Sequence, residues 1–497
     1  MQILNDLTEV ATVIADPRLL LLMLIGTVAG VLVGAIPGLT GAMLIALSVP
    51  LTYSLGPAPA MALLVSMYVG SVSGGFITAT LLRMPGTPAS IMTTLDGYPM
   101  AQRGEAGRAL GLGAAASLWG GLISWIFLFL LARPIAIWST RFGPFEYVGL
   151  VLLALVLIAG VGGKSLLRGL FSAGLGILLT APGVAPTTGE PRWTFGIVEL
   201  SDGFKLLPVL IGLFAVNQMI SSLLNTESIT EKNEASRAGM LDVWRDWRKH
   251  LLNLLRSSAL GTWVGVLPGV GANIGSVVAY SAARNASREP EQFGKGSEEA
   301  IVASESANNA TVGGALIPLI SMGIPGSVID TILLGALIVH GLQPGPLLFE
   351  QNPGPVYVII ATMFVANWFM FIFVWLSIGW ITKVANMPRA ILLPAIMVFC
   401  VIGSYALANR MFDVWVMLGF GAVGFLLERI RIPLAPFVIG FVLAPIGEEH
   451  LGTGLMQTGG SVMPLFTRPI ALTFVLFALG VLGWSLRPSR RKSNAEF

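Results

Sequence analysis

Apolar stretches long enough to cross a bilayer follow one another along almost the whole chain. A membrane-spanning helix needs about 20 mostly apolar residues. Such stretches run over 18–36, 57–82, 106–131, 145–161, 166–182, 205–224, 257–283, 306–323, 328–341, 354–383, 388–408, 411–429 and 463–485, with shorter or broken ones at 39–51 and 432–447. The alternation of a β-barrel is absent, so the stretches read as helices. Only 11% of the 497 residues are charged, less than half of the roughly 25% found in soluble domains. The expected fold is an all-α polytopic protein of the lipid bilayer, with roughly 10 to 14 membrane segments. A water-soluble enzyme and a nucleic-acid binder are excluded, and 29 basic against 26 acidic side chains leave no basic patch.

The single cysteine, Cys400, lies in an apolar run, so no disulfide forms within the chain. The first residues, MQILNDLTEVATVIADPRLLLL, carry no basic region ahead of a full-length apolar run, so no cleavable signal peptide is expected. About a third of the charged side chains fall in 225–300, and NTESITEKNEASRAGMLDVWRDWRKH (225–250) is the one long hydrophilic stretch. Trp244 and Trp247 with their basic neighbours suit an interfacial helix; the plainer alternative is a solvated linker. The basic ending RPSRRKSNAEF follows a span, which places it in the cytoplasm by the positive-inside rule.

The two halves resemble each other. Residues 30–38 read GVLVGAIPG and residues 261–269 read GTWVGVLPG, both G-x3-G-x2-P-G. Further on, GGFITATLLRMPG (74–86) and GGALIPLISMGIPG (313–326) are each Gly-Gly, an apolar run and Pro-Gly, the second one residue longer. The chain therefore divides into a first transmembrane repeat (1–224), a hydrophilic linker (225–256), a second repeat (257–485) and a cytoplasmic tail (486–497). Proline removes a backbone donor and glycine permits an unwound chain. Pro37-Gly38, Pro85-Gly86, Pro268-Gly269 and Pro325-Gly326 are thus expected to break helices at matched places, as in the discontinuous helices of secondary transporters. Basic residues exchange sides between the copies. TYSLGPAP (52–59) has none, whereas its counterpart 284–299 has Arg284, Arg288 and Lys295. Arg103 and Arg108 follow the second element of the first copy, whereas 341–355 has no basic residue. That exchange predicts inverted repeats.

Ionisable and amide groups at membrane depth are costly and mark candidate sites. After the first Pro-Gly break, PGTPASIMTTLDGYPMAQRG (85–104) supplies Thr87, Ser90, Thr93, Thr94 and Asp96. Asp96-Gly97 before Tyr98-Pro99 reads as a turn, leaving Asp96 as either an interfacial cap or an ion-coupling carboxylate. In ESANNATVGGALIPLISMGIPGSVID (305–330), Glu305, Asn308 and Asn309 open an apolar helix, with Ser306, Asn309 and Gly313 near one face. Ser327 and Asp330 follow the second break, while Thr40 and Asn273 follow Pro37 and Pro268. Asparagine amides suit a carboxylate or a cation, or simply bond between helices. His250, His340 and His450 lack metal-site spacing. No Walker loop, GxSxG or HExxH is present, so neither enzyme activity nor a cofactor is expected.

The strings GAIPGLTGAM (34–43), YVGSVSGGFITATLLRMPGTPASIMTTLDGYPMAQRG (68–104), GVLPGVGAN (265–273) and ESANNATVGGALIPLISMGIPGSVIDTILLGAL (305–337) resemble, in order, the large membrane subunit of the tripartite tricarboxylate transporters, the TctA-type family. Arg83, just before the first break, is less typical. The resemblance implies a multi-pass subunit of the bacterial inner membrane, working with a small membrane subunit of about four helices and a periplasmic solute-binding protein. It would take up organic carboxylates on a gradient of Na+ or H+. The alternatives are an ion-conducting channel or another secondary transporter without a binding protein. In the carboxylate transporter, Thr40, Pro85, Gly86, Thr87, Ser90, Asn273, Asn308, Asn309, Pro325, Gly326 and Ser327 are the expected substrate-binding residues, and Asp96, Glu305 and Asp330 the ion-coupling ones.

Overall fold

The computed structural model describes residues 2–36, 39–161, 165–185, 188–224, 239–240, 242–268, 271–385, 389–406 and 408–485. The tail from 486, the linker residues 225–238 and the pairs Pro37-Gly38 and Gly269-Val270 lie outside the described residues.

Helix starts and stops follow the sequence punctuation. α1 (Gln2–Ile14) is followed by Asp16, whose carboxylate accepts from the Arg18 N–H and caps α2 (Pro17–Gly34), with proline at its first position. α2 stops before Pro37-Gly38, and α3 (Gly41–Ser48) restarts on Thr40, whose hydroxyl accepts from the Met43 N–H. α4 (Pro57–Leu82) ends at Arg83, and α5 (Ile91–Gln102) resumes after Pro85-Gly86. α6 (Ala106–Ser139), α7 (Pro144–Val161) and α8 (Leu166–Leu178) follow, then a small antiparallel hairpin of β1 (Gly183–Val184) and β2 (Pro191–Arg192). α9 (Leu206–Ile211) and α10 (Asn217–Leu224) are joined by one π-helical stretch. The second half brings α11 (Trp247–Val266), α12 (Gly271–Ala286), α13 (Glu298–Met322), α14 (Val328–Val339), α15 (Leu348–Gln351) and α16 (Pro353–Ala385). α17 (Arg389–Ala406), α18 (Met411–Arg429), α19 (Leu434–Gln457), α20 (Pro464–Thr467) and α21 (Pro469–Ser485) complete it.

Among the described residues, seven helices are long and apolar enough to cross a membrane: 17–34, 57–82, 106–139, 206–224, 353–378, 411–429 and 434–457. Shorter apolar helices include α3 and α14, the half-helices that follow breaks. Four expectations change. The stretch 257–283 is two helices, because the Pro268 break falls inside it. The stretch beginning at 432 is one helix running on to 457, with Pro445 inside it. Asp96 to Pro99 is helix interior, not a turn. The end of the linker is anchored while most of it stays exposed: Val243 is buried and the Trp244 ring meets Phe371 edge-on, Asp242, Trp244, Arg245 and Asp246 are exposed, and α11 begins at Trp247.

The chain forms two compact units, one of residues 1–141 and 204–430, the other of 142–203 and 431–497. This grouping is by packing, a different criterion from the division by internal similarity. In the smaller unit Gly176 of α8 lies under the Phe437 carbonyl of α19. Arg192 of the hairpin binds both carboxylate oxygens of Glu448, and that hydrogen-bonded carboxylate holds the guanidinium above its ordinary pKa. Arg468 reaches Glu146 at 3.2 Å.

In the larger unit, α2 packs on α4 and α11 on α13 through one set of close approaches. A Cβ at Gly30 would stand 2.4 Å from the Met67 carbonyl oxygen, and at Gly261 2.4 Å from that of Ala307. A Cβ at Gly34 would stand 2.2 Å from Ser71 O, and at Gly265 2.4 Å from Thr311 O; at Gly74 2.3 Å from Val31 O, and at Gly314 2.2 Å from Thr262 O. At the breaks, a Cβ at Gly86 would stand 2.0 Å from Gly34 O, and at Gly326 2.7 Å from Gly265 O. In every case the α2 residue reappears in α11 at one constant offset (30 to 261, 34 to 265), and the α4 residue in α13 at another (67 to 307, 74 to 314, 86 to 326). The packing therefore pairs Gly74-Gly75 with Gly314-Ala315, one residue on from the Gly-Gly match read in the sequence, and needs no extra residue in the second copy. Arg83 and Gly323 fit the same register. Both cap their helices in the left-handed region, at φ 56° and 73°, a conformation that costs a non-glycine residue about 1–2 kcal/mol.

Candidate functional site

α4 and α13 are buried along nearly their whole lengths, and their polar side chains turn toward each other. The Ser73 hydroxyl donates to Asn309 Oδ1 at 2.6 Å, and the Asn308 amide donates to the Val72 carbonyl at 3.2 Å. One turn earlier on α4, the Tyr68 hydroxyl lies 3.2 Å from Ser327 Oγ and 3.4 Å from Asp330 Oδ2. Gly326 in turn rests on Ala315. Moving back along α4 from 72 to 68 thus moves forward along α13 from 308 toward 315, so the two helices run antiparallel.

Both breaks arrive at this crossing. At the first, the Gly86 N–H donates to the Gly75 carbonyl at 3.3 Å, and the Thr87 and Ser90 hydroxyls lie 3.2 Å apart above Gly75. Three residues on, Thr93 Oγ1 donates to Glu305 Oε1 and lies 3.3 Å from Ser304 Oγ. Glu305 Oε2 also accepts from Asn308 Nδ2 at 3.3 Å. At the second break, Pro325 and Gly326 are buried and Ser327 caps α14, its hydroxyl accepting from the Asp330 N–H at 3.3 Å. The half-helix starts gather too: Gly41 of α3 faces Ser71 and Ile329, and Gly271 of α12 faces Ser327.

The crossing thus brings together Thr87, Ser90, Glu305, Asn308, Asn309, Ser327 and Asp330, with Pro85 and Gly86 forming the first break and Pro325 and Gly326 the second. Thr40 serves as the cap of α3. Asn273 does not join the cluster; it is exposed on the first turn of α12. Ser306 and Gly313 face α6, where Gly120 and Ser124 lie against them, so that stripe serves mainly for packing. Asp96 is a cap, of a segment distant in sequence. Its Oδ1 accepts the N–H groups of Gly294, Gly296 and Ser297 at 2.9, 3.0 and 2.7 Å, and its Oδ2 accepts from the Tyr280 hydroxyl at 3.0 Å. Arg103, at the other end of α5, donates to the carbonyls of Lys295 and Gly296. Arg83 is exposed, its guanidinium over the Tyr98 ring. Tyr68, Ser73 and Tyr280 escaped the sequence reading; the available signal was a hydroxyl in an apolar helix.

Among the described residues no group of three or more His, Cys, Asp or Glu could hold a metal ion. The histidines are dispersed: His340 Nε2 lies 2.9 Å from the Thr52 hydroxyl, His450 stacks on Tyr147, and His250 lies beside Glu298.

The model of the tripartite tricarboxylate transporter TctA family matches residues 20–439. The chain belongs to that family. As a TctA-family protein it is a multi-pass membrane transporter subunit. A protein of Agrobacterium vitis described as an uncharacterized 52.8 kDa protein in the TAR-I ttuC' 3' region is 34% identical over 473 residues, 95% of this chain and 93% of that one. A second from the same organism, in the TAR-II ttuC' 3' region, is 36% identical over 236 residues, 48% of this chain and 98% of its own length. No solved structure matches the chain.

Proposed function

We propose that this TctA-family chain is the translocation subunit of a binding-protein-dependent secondary transporter for organic tri- and dicarboxylates, in the bacterial inner membrane. A periplasmic solute-binding protein would deliver the substrate, a small membrane subunit of about four helices would complete the complex, and a gradient of Na+ or H+ would drive uptake. The observation that carries the mechanism is the convergence of two helix breaks on the α4–α13 crossing. Freed backbone groups and half-helix N-termini suit carboxylate, and Thr87, Ser90, Asn308, Asn309 and Ser327 add side-chain donors. The contacts shared by α2–α4 and α11–α13, with α4 and α13 antiparallel, support inverted repeats. One copy would then rock against the other around the crossing. Asp96 is occupied by four donors, which leaves Glu305 and Asp330 as the carboxylates for ion coupling.

The test is uptake of radiolabelled citrate and succinate into vesicles holding the complex, with the binding protein added and the Na+ and pH gradients varied separately. Asn308→Ala removes an amide from the crossing and should lower uptake about tenfold, the worth of one buried hydrogen bond to a charged group, while the assembled complex remains. Normal uptake kinetics in that variant would count against the site. Citrate flux without the binding protein and indifferent to both gradients would favour a channel.

A further inference from the structure

The two breaks occupy equivalent positions but carry different chemistry. By the offset that relates α4 to α13, Thr87 corresponds to Ser327 and Ser90 to Asp330. A hydroxyl in the first copy is thus a carboxylate in the second. Five carboxylates are buried among the described residues: Asp96, Glu146, Glu305, Asp330 and Asp413. Three are answered by strong donors. Asp96 has three backbone N–H groups and Tyr280, Glu146 has Arg468 and the Gly143 N–H, and Asp413 has Arg410. Glu305 has two neutral donors, Thr93 and Asn308. Asp330 is answered by neutral groups alone: Tyr68 donates to its Oδ2 at 3.4 Å, Ser327 brings its hydroxyl and backbone close to the carboxylate, and the buried Oδ1 has no partner in hydrogen-bond geometry.

A buried polar atom without a partner calls for an explanation, and a buried carboxylate without a counter-charge is among the costliest groups a membrane protein can hold. No Lys, Arg or His nitrogen among the described residues lies within salt-bridge distance of Asp330. Tyr68 from α4 and Ser327 from its own cap are the polar side chains that bond to it or its N–H, while α3 brings Gly41 against Ile329 and α9 brings Leu206 against Gly335. A second carboxylate arriving at the first turn of α14 would meet this negative charge. At the first break it would meet hydroxyls and N–H groups instead.

We propose that the second break is a cation subsite centred on Asp330, with the hydroxyl oxygens of Tyr68 and Ser327 as neutral ligands, and that only the first break receives substrate carboxylate. This rests on the transporter reading above and narrows it: Ser327 passes from the carboxylate donors to the cation ligands. The cation is Na+ or a proton; either one answers the open Oδ1, and each would couple uptake to its own gradient.

The test needs no substrate, so it stands apart from the success or failure of the uptake measurement. The purified full-length chain in lipid nanodiscs is heated in NaCl against choline chloride at mildly alkaline pH, and in choline chloride from mildly alkaline to mildly acidic pH. The wild type should unfold at a higher temperature in one arm, which identifies the cation. Asp330→Ser, giving the second break the residue of the first, should abolish that rise, and Glu350→Gln, at an exposed carboxylate outside the crossing, should keep it. Should Asp330→Ser yield no folded chain, Tyr68→Phe supplies the same test: it should raise the half-saturating cation concentration about tenfold, as loss of one ligand at a charged group does. A wild type indifferent to both cations, an Asp330→Ser chain that keeps the response, or a Tyr68→Phe chain with unchanged half-saturation would overturn the assignment.

Discussion

Replacing Asp96 by alanine should detach α5 from the segment that starts α13 and abolish most uptake. Four donors converge on this one carboxylate, three of them backbone N–H groups of 294–297. Those N–H groups precede or open α13 and have no carbonyl of a preceding turn to bond. Alanine leaves them without an acceptor, at a cost on the order of 3 kcal/mol, equivalent to a roughly hundredfold shift in the population of the attached state. Asp96→Asn should behave quite differently. Its amide oxygen can keep the three N–H donors, and its NH2 can donate to the Tyr280 oxygen. Uptake and its dependence on the gradients should therefore survive near wild-type level. An ion-coupling Asp96 predicts the opposite ranking, with asparagine assembled normally but blind to the gradient. Uptake by both variants, alongside the amount of complex recovered, decides between the two. The latch sits in the loop rich in Arg284, Arg288 and Lys295, which the positive-inside rule puts on the cytoplasmic side. The equivalent end of α14 is held far more lightly, by the Thr52–His340 pair.

Local chemistry made much of this fold legible. The bounds of α4, read as 57–82, and of α18, read as 411–429, coincide with the helices found, because prolines, glycines and charges punctuate them. The breaks were legible for the same reason, since proline and glycine act on their own neighbours. For Asp96 the sequence left a cap and an ion-coupling carboxylate side by side, because its donors lie about 200 residues away and three of the four are backbone groups, which any sequence supplies. The turn reading of 96–99 failed on related grounds. Asp-Gly and Tyr-Pro favour turns locally, yet burial of Gly97 against Thr80 and of Tyr98 beneath Arg83 holds the segment helical. Asn273 shows the converse: its distance from Pro268 said nothing about which face of α12 would carry it, and that face is exposed.

The register of the contacts shared by the two halves departs by one residue from the Gly-Gly match in the sequence, and it leads to a paired expectation. Gly86→Ala and Gly326→Ala should each lower the unfolding temperature of the chain and the yield of assembled complex. At Gly86 the new methyl would lie 2.0 Å from the Gly34 carbonyl oxygen and 2.9 Å from the Gly75 Cα; at Gly326 it would lie 2.7 Å from the Gly265 oxygen and 2.8 Å from the Ala315 methyl. Real Cβ atoms do not approach backbone this closely, and the obstructing atoms are carbonyls of α2 and α11 that cannot rotate away. Each break would have to lift off the helix it rides on, costing about 3 kcal/mol by overpacking, with the larger loss at Gly86, where the approach is closer. Gly174→Ala and Gly480→Ala, with nothing within 4 Å, should leave stability unchanged. If the two halves descend from one unit, the first pair must fall together. Loss at Gly86 with none at Gly326 would mean that the shared contacts are coincidental. Loss of uptake at normal stability in either variant would mean that the glycine serves the substrate rather than the packing. The carbonyl against which each break lies belongs to the helix that precedes its own half-helix break, so the two discontinuities of one copy are braced on each other. Movement of one copy would then carry both of its breaks as a single body, and the crossing of α4 with α13 is where those two bodies meet.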